Sequence, residues 1–135
     1  MGFRAERRRL RDVMEPEEEI LASDLLHGVR EWRDLSRPPV LVVTNTSIYL
    51  LLSGSEKGVF AVPFNELAGV GRRPKFLNLG ELQLIMREPD GSLATVTCLY
   101  NPRDRYELTG DLITEHFFGR VIKDTTTEFP KAKEG

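Results

Sequence analysis

Apolar and polar residues alternate with a period of two along much of the chain, which is typical of half-buried β-strands. The clearest signal lies in residues 39–52, where two β-branched, apolar runs flank the polar break Thr44-Asn45-Thr46-Ser47. Asparagine tolerates a left-handed backbone, so this break suits a turn. The stretch therefore predicts a β-hairpin in the middle of a sheet.

Further strands are predicted downstream of this hairpin, at residues 59–63 and 66–72. Residues 80–87 alternate cleanly. Their apolar face carries Leu82, Leu84 and Met86, and the opposite face carries Glu81, Gln83, Ile85 and Arg87. A Pro-Asp-Gly-Ser turn at residues 89–92 joins this strand to another at 93–99, which predicts a second hairpin.

Residues 19–32 are ambiguous, because their apolar spacing fits both an amphipathic helix and an irregular first strand. Gly28 weakens the helical interpretation. Since a hairpin partner follows, we predict a strand over the second half of the segment, from about Leu26.

A helix is predicted after the last strand. Asn101 suits the N-cap and Pro102 the first helical position. An apolar stripe follows at helical spacing, made of Tyr106, Thr109, Gly110, Leu112, Ile113 and Phe117. Gly110 would let the helix approach its sheet closely. Many short strands followed by one helix predict a mainly β fold, a barrel or sandwich closed by that C-terminal helix.

The 135 residues fit one domain that can bury a core without disulfides or metals. Residues 1–17 carry an arginine-rich stretch followed by acidic residues, and they predict either a short charged helix, ended by Pro16, or a solvated arm. We assign the domain to residues 18–122 and a flexible tail to residues 123–135.

The composition and net charge of the chain limit the classes of function that we expect. The formal net charge of -2 gives no global electrostatic case for nucleic-acid binding, so nucleic acid is not expected as a partner. The single cysteine, Cys98, lies in a predicted strand and suggests a buried structural thiol in a reducing compartment. Neither a signal peptide nor an apolar run of transmembrane length is present, which favours a cytoplasmic protein.

Catalytic chemistry finds little support in the sequence. His27 and His116 have no metal-ligand spacing with each other or with Cys98. The chain contains no nucleophile elbow and no phosphate-binding glycine loop. We therefore expect no enzyme, no metal site and no cofactor.

The strongest local candidate for contact is a basic loop in which Arg72, Arg73 and Lys75 precede Phe76 and Leu77. Such a loop suits an anionic membrane surface or an acidic peptide. The alternative is a solvated connection whose Phe76 and Leu77 fold back onto the core.

Three consecutive leucines at residues 50–52 make both faces of their strand apolar. One face would fill the core. The other face must be covered, either by the N-terminal segment or by another subunit, so a homo-oligomer is one of two alternatives.

The chain resembles bacterial pleckstrin-homology-like domains in residues 18–21, 41–50, 62–70 and 80–84. The resemblance covers about residues 18–121 and rests mainly on core and turn residues. It implies two roughly orthogonal antiparallel sheets of about seven strands, a PH-like barrel with the C-terminal helix capping one open end. Members of the family bind lipids or peptides or act as assembly elements, and are not enzymes.

The lipid-binding members of this family carry basic residues in and beside the first strand-to-strand loop. The corresponding region here offers His27, Arg30, Arg33 and Arg37, without lysine and with acidic residues between them. This departure argues against phosphoinositide binding. We therefore expect a non-catalytic module that binds a protein or peptide or mediates assembly. The alternative is a peripheral membrane adaptor that uses the basic loop, with these arginines as a second patch.

Overall fold

The structure is a computed structural model that describes residues 10–32, 35, 37–52, 58–74, 79–101 and 104–118. Its elements, in chain order, are α1 (Leu10–Val13), β1 (Ile20–Leu25), β2 (Gly28–Val29), β3 (Val40–Thr44), β4 (Ser47–Leu52), β5 (Gly58–Pro63), a 3-10 turn (Phe64–Glu66), β6 (Leu67–Pro74), β7 (Gly80–Arg87), β8 (Leu93–Tyr100) and α2 (Asp104–Phe118). The fold is mainly β with one C-terminal helix, as predicted.

The first sheet is antiparallel and has the strand order β1-β3-β4-β5. The predicted hairpin at residues 39–52 is its centre: β3 and β4 pair from Val40 with Leu51 to Val43 with Ile48, and Asn45 and Thr46 form the turn. Alternate residues of β3, β4 and β5 enter the main core, among them Leu41, Val43, Ile48, Leu50, Phe60 and Val62. The alternation that predicted the strands is therefore also the alternation that fills the core.

The second sheet is antiparallel with the order β2-β8-β7-β6. The predicted hairpin of β7 and β8 is confirmed, and its turn contains Gly91 with a φ of 91°, a backbone conformation that favours glycine. The predicted apolar face of β7 lies in the main core. Cys98 is fully buried there, so the prediction of a buried thiol is confirmed.

The first strand differs from its prediction. Residues 20–25 form β1, so the strand begins about six residues before Leu26 and the helical alternative is wrong for this stretch. The chain then bends: the backbone N–H of Leu26 donates to Pro39 O in the first sheet, and that of His27 donates to Leu99 O in the second. This bend divides the segment that the sequence left ambiguous, residues 19–32, between the two sheets. The sheets are otherwise separate and not closed into a barrel, so the word barrel applies only loosely.

The C-terminal helix packs against β6 and β7. Its predicted stripe is confirmed: Tyr106 and Ile113 join the main core, and Thr109 and Gly110 are also buried. A Cβ atom on Gly110 would lie 2.3 Å from Cδ of Arg72, so the glycine is what permits this close approach. The described helix begins at Asp104, and Pro102 lies outside the described residues.

The outer face of the first sheet is covered by the N-terminal segment. Val42, Tyr49 and Val59 form a second apolar cluster, against which Leu51 packs together with Leu10, Val13 and Met14 from α1 and its end. Of the two alternatives that the leucine run left open, the chain therefore uses its own N-terminal segment to cover this face. Residues 1–9 and the predicted tail at 123–135 lie outside the described residues.

Candidate functional site

The basic residues of the predicted loop differ in their burial. Arg72 is only 4% exposed, and its Nη1 donates to Asp111 Oδ1 at 2.6 Å, so its charge is used to attach α2 to β6. Arg73 is exposed at the end of β6. Lys75 and Phe76 lie outside the described residues. The prediction of a contact surface at this loop therefore stays a prediction, with Arg72 withdrawn from the surface.

Two other predicted site residues, Arg30 and Arg37, line one groove with a volume of about 480 Å³. His27 and Trp32 line the same groove, and the apolar parts of its wall include Leu35 and Pro38. Arg33 lies outside the described residues. We call the surface formed by His27, Arg30, Trp32 and Arg37 the cationic groove.

The bend between β1 and β2 builds this groove. Leu26 and Val29 turn inward into the core, while His27 and Arg30 remain exposed. The backbone N–H of Arg30 donates to Thr97 O at 3.0 Å, and that of Trp32 donates to Val29 O at 3.0 Å, which closes a tight turn at the groove. The indole of Trp32 packs edge-on against Phe60 with ring centroids 5.3 Å apart. One wall of the groove is thus anchored to the core.

Two carboxylates near the groove are already engaged. Arg30 forms an ion pair with Glu81, whose side chain is 1% exposed while that of Arg30 is 47% exposed. Glu31 accepts hydrogen bonds from the backbone N–H of Thr97 at 2.7 Å and from its hydroxyl at 3.0 Å. A guanidinium has five N–H donors in a planar fork, so Arg30 keeps donors for a ligand on its exposed side. Arg37 is exposed and forms no ion pair with any described residue.

A second polar centre surrounds Glu18. Its carboxylate accepts hydrogen bonds from Tyr49 Oη at 2.7 and 2.8 Å, Thr44 Oγ1 at 2.6 Å and Thr46 Oγ1 at 2.9 Å. It also accepts one from the backbone N–H of Glu15 at 2.7 Å. These bonds tie the segment before β1 to the β3–β4 hairpin, so the Thr44 and Thr46 hydroxyls serve more than the turn.

The hydrogen bonds of this centre shift two pKa values. Burial alone would raise the pKa of Glu18, but the donors led by Thr44 and Tyr49 outweigh it and hold that pKa below its ordinary value. Burial, followed by the bond to the Glu18 carboxylate, raises the pKa of Tyr49 to about 12. The pair therefore consists of an ionised carboxylate and a neutral phenol over the whole physiological range.

A third polar centre is buried between β1, β8 and α2. Asp24 is 4% exposed and accepts hydrogen bonds from Tyr100 Oη at 2.9 Å, from Thr109 Oγ1 and from Arg105. Burial, with the nearby negative charge, raises the pKa of the Tyr100 phenol. Because a buried carboxylate requires such partners, this centre fixes the start of α2 against the first strand.

Sequence reasoning missed Glu18, Asp24 and Glu81. Glu18 lies among other acidic residues, and Asp24 and Glu81 are polar positions beside apolar ones that a solvent-facing strand residue would also occupy, so the local pattern does not separate them from solvated carboxylates. The alternation predicts Glu81 on the face of β7 opposite the apolar one, yet its side chain is fully buried and its carboxylate forms an ion pair with Arg30. Of the groups around Glu18, the sequence indicates only Thr44 and Thr46, as part of the polar break in the predicted hairpin.

Comparison with known proteins finds no family model, no curated protein and no solved structure that matches the chain. None of the helices that the structure describes is long and apolar enough to cross a bilayer. In the same part of the chain, no three His, Cys, Asp or Glu side chains converge where a metal ion could bind.

Proposed function

We propose that this protein is a non-catalytic binding module whose cationic groove takes an acidic peptide segment of a protein partner. The observation that carries the proposal is the convergence of Arg30 and Arg37 with Trp32 on one concave surface. Its volume of about 480 Å³ lies in the range of ligand-binding clefts. The resemblance to pleckstrin-homology-like domains, which bind peptides or lipids, supports the same class of function.

The chemistry of the groove favours carboxylates in an extended chain. Arginine binds carboxylate through paired N–H donors, which gives orientation as well as attraction. Trp32 and Pro38 offer apolar surface between the charges, and a half-buried aromatic anchor of this kind is common at the centre of peptide and protein interfaces. A segment that alternates acidic and apolar residues would use both features.

A peptide is favoured over a membrane surface because Arg72 is not available. The membrane alternative uses Arg72, Arg73 and Lys75, with Arg30, Arg33 and Arg37 as a second patch. The guanidinium of Arg72 is buried against Asp111. Binding to an anionic bilayer typically needs several basic residues near the surface, each contributing about 1 kcal/mol. Loss of one cation from this set weakens the adaptor model more than the groove model.

The only tryptophan of the chain lines the groove, so its fluorescence reports binding directly. We would titrate the protein with acetylated, amidated hexaglutamate and with hexalysine at about 0.05 M and about 0.5 M salt, since screening separates exposed ion pairs from buried ones. Hexaglutamate should give a saturable change that weakens at high salt. Hexalysine should give none.

Arg37→Gln should weaken hexaglutamate binding by roughly fivefold, as expected for an exposed ion pair. Arg87→Gln is the matched control, because Arg87 is an exposed arginine at the end of β7 outside the groove, and it should leave binding unchanged. Absence of saturable binding, or equal loss in both variants, would refute the proposal. Binding of anionic phosphatidylserine vesicles in place of the peptide would favour the membrane adaptor.

A further inference from the structure

An acidic turn lies at the end of the first sheet opposite the cationic groove. We define the acidic turn as residues 15–18, in which Glu15, Pro16 and Glu17 are all exposed. With Glu19, also exposed, its outer glutamates form no ion pair with any residue that the structure describes. The turn thus presents exposed carboxylates, and Glu15 and Glu18 also border a surface pocket with Tyr49 and Asn45.

Hydrogen bonds make this turn rigid. The backbone N–H of Glu18 donates to Glu15 O at 3.0 Å, and the backbone N–H of Glu15 donates to Glu18 Oε1 at 2.7 Å. Pro16 occupies the second position, where its fixed φ suits a β-turn. The Glu18 carboxylate is in turn held by Tyr49 and Thr44. A ligand that is fixed in this way loses little conformational entropy on binding.

The acidic turn has the features that the cationic groove requires. Two exposed carboxylates flank the apolar ring of Pro16, and the groove places Arg30 and Arg37 around Trp32. The charges of the two surfaces are opposite. Such complementarity selects a partner and its orientation more than it adds raw affinity.

The two surfaces of one molecule cannot meet. Pro39, just before β3, lines the cationic groove, and Asn45, just after β3, donates its backbone N–H to Glu19 O beside the acidic turn. The five residues of β3 span about 16 Å at the usual rise of a strand. The acidic turn therefore reaches a cationic groove only on another copy of the chain.

We propose that the acidic turn of one copy binds the cationic groove of the next, so that the protein assembles head to tail. This inference rests on the proposed function, because it identifies the acidic segment that the groove takes. The contact is heterologous. An open assembly therefore keeps one free groove and one free turn at its ends, and a ring forms where these two ends meet. Exposed ion pairs are weak and screened, so assembly should need high protein concentration and low salt.

Two blocked variants test this arrangement. Arg37→Gln with His27→Gln disables the groove, and Glu15→Gln with Glu17→Gln disables the turn, while Glu18 and its structural hydrogen bonds are kept. In sedimentation velocity at low salt, the wild-type protein should form oligomers that grow with concentration and dissociate at high salt. Each blocked variant alone should stay monomeric.

An equimolar mixture of the two blocked variants should give a dimer and nothing larger, since only one intact turn and one intact groove remain to pair. Arg87→Gln and Glu115→Gln, which change exposed charges elsewhere, should assemble like the wild type. A wild-type protein that stays monomeric, a mixture that stays monomeric, or a blocked variant that still assembles overturns the inference. If hexaglutamate binds while the wild type stays monomeric, the self-assembly fails and the proposed function stands; if hexaglutamate does not bind the groove, the proposed function fails.

Discussion

Replacement of Gly110 by alanine would place a methyl group inside the side chain of Arg72. The new Cβ would lie 2.3 Å from Cδ, 3.1 Å from Nε and 3.2 Å from Cγ of that arginine. The arginine cannot swing aside freely, because it is 4% exposed and its Nη1 is held by Asp111 at 2.6 Å. Either the ion pair or the position of α2 on β6 must change.

The cost can be bounded from these contacts. Overpacking in a well-packed site costs about 1–3 kcal/mol, and complete loss of one partner from a buried ion pair costs about 3–5 kcal/mol. The better helix propensity of alanine offsets about 1 kcal/mol. We expect Gly110→Ala to lower the free energy of unfolding by about 1–3 kcal/mol, which corresponds to a fall in Tm of about 3–10 °C for a chain of this length.

Urea and thermal unfolding, followed by far-UV circular dichroism and Trp32 fluorescence, would measure the effect. Gly28→Ala is the control, because a Cβ at Gly28 would meet nothing within 4 Å, and the change there should stay within about 0.5 kcal/mol. A double-mutant cycle identifies the cause: in an Arg72→Ala background the clashing atoms are gone, and Gly110→Ala should be neutral or stabilising. A neutral Gly110→Ala in the wild type, or an equal loss in both backgrounds, would refute the reasoning.

Three further substitutions test the buried contacts by urea unfolding. Glu18→Gln should cost about 1 kcal/mol at neutral pH, which is less than the roughly 1.5–3 kcal/mol typical of a hydrogen bond to a charged group, because the carboxylate is partly exposed. The fold lowers the pKa of Glu18 from 4.5, so the carboxylate stabilises the fold fully above pH 4.5, and this stabilisation is lost as the pH falls through the lowered pKa. Glu18→Gln should therefore flatten the dependence of unfolding free energy on pH in this acidic range. An unchanged pH dependence would contradict the role given to Glu18. Gly80→Ala should cost about 2–3 kcal/mol, because its Cβ would lie 2.3 Å from Cδ1 of the buried Tyr106, and an unchanged midpoint would show that the ring can move. Asp24→Asn should cost about 2–3 kcal/mol, since the amide loses the charge that pairs with Arg105 and replaces one of the two acceptor oxygens by a donor. A loss no larger than that of an exposed aspartate would count against the buried centre.

Much of the candidate site was beyond prediction because its charges depend on partners distant in the sequence. Arg72 was a natural candidate for a surface contact from its basic neighbours, and its burial depends on Asp111, 39 residues away. Glu81 was placed on the polar face of its strand, yet Arg30 from the bend after β1 neutralises it. Whether a charged side chain binds a ligand or stabilises the fold depends on the charged partner that it meets. In both ion pairs the two partners are far apart in the sequence, so no local stretch of sequence contains them together.

The sequence by itself determined the strands from residue 39 onward, the turns between them and the C-terminal helix. The hairpin at residues 39–52, the turn at Gly91 and the close approach at Gly110 follow from local preferences and a regular period, which act over a few residues. Only the tertiary structure decided that the first strand divides between two sheets, that α1 covers Leu51, and that Arg30 and Arg37 share one groove. These features depend on which surfaces come into contact when the chain folds. A charged side chain can be buried only where that contact provides an oppositely charged or hydrogen-bonding partner.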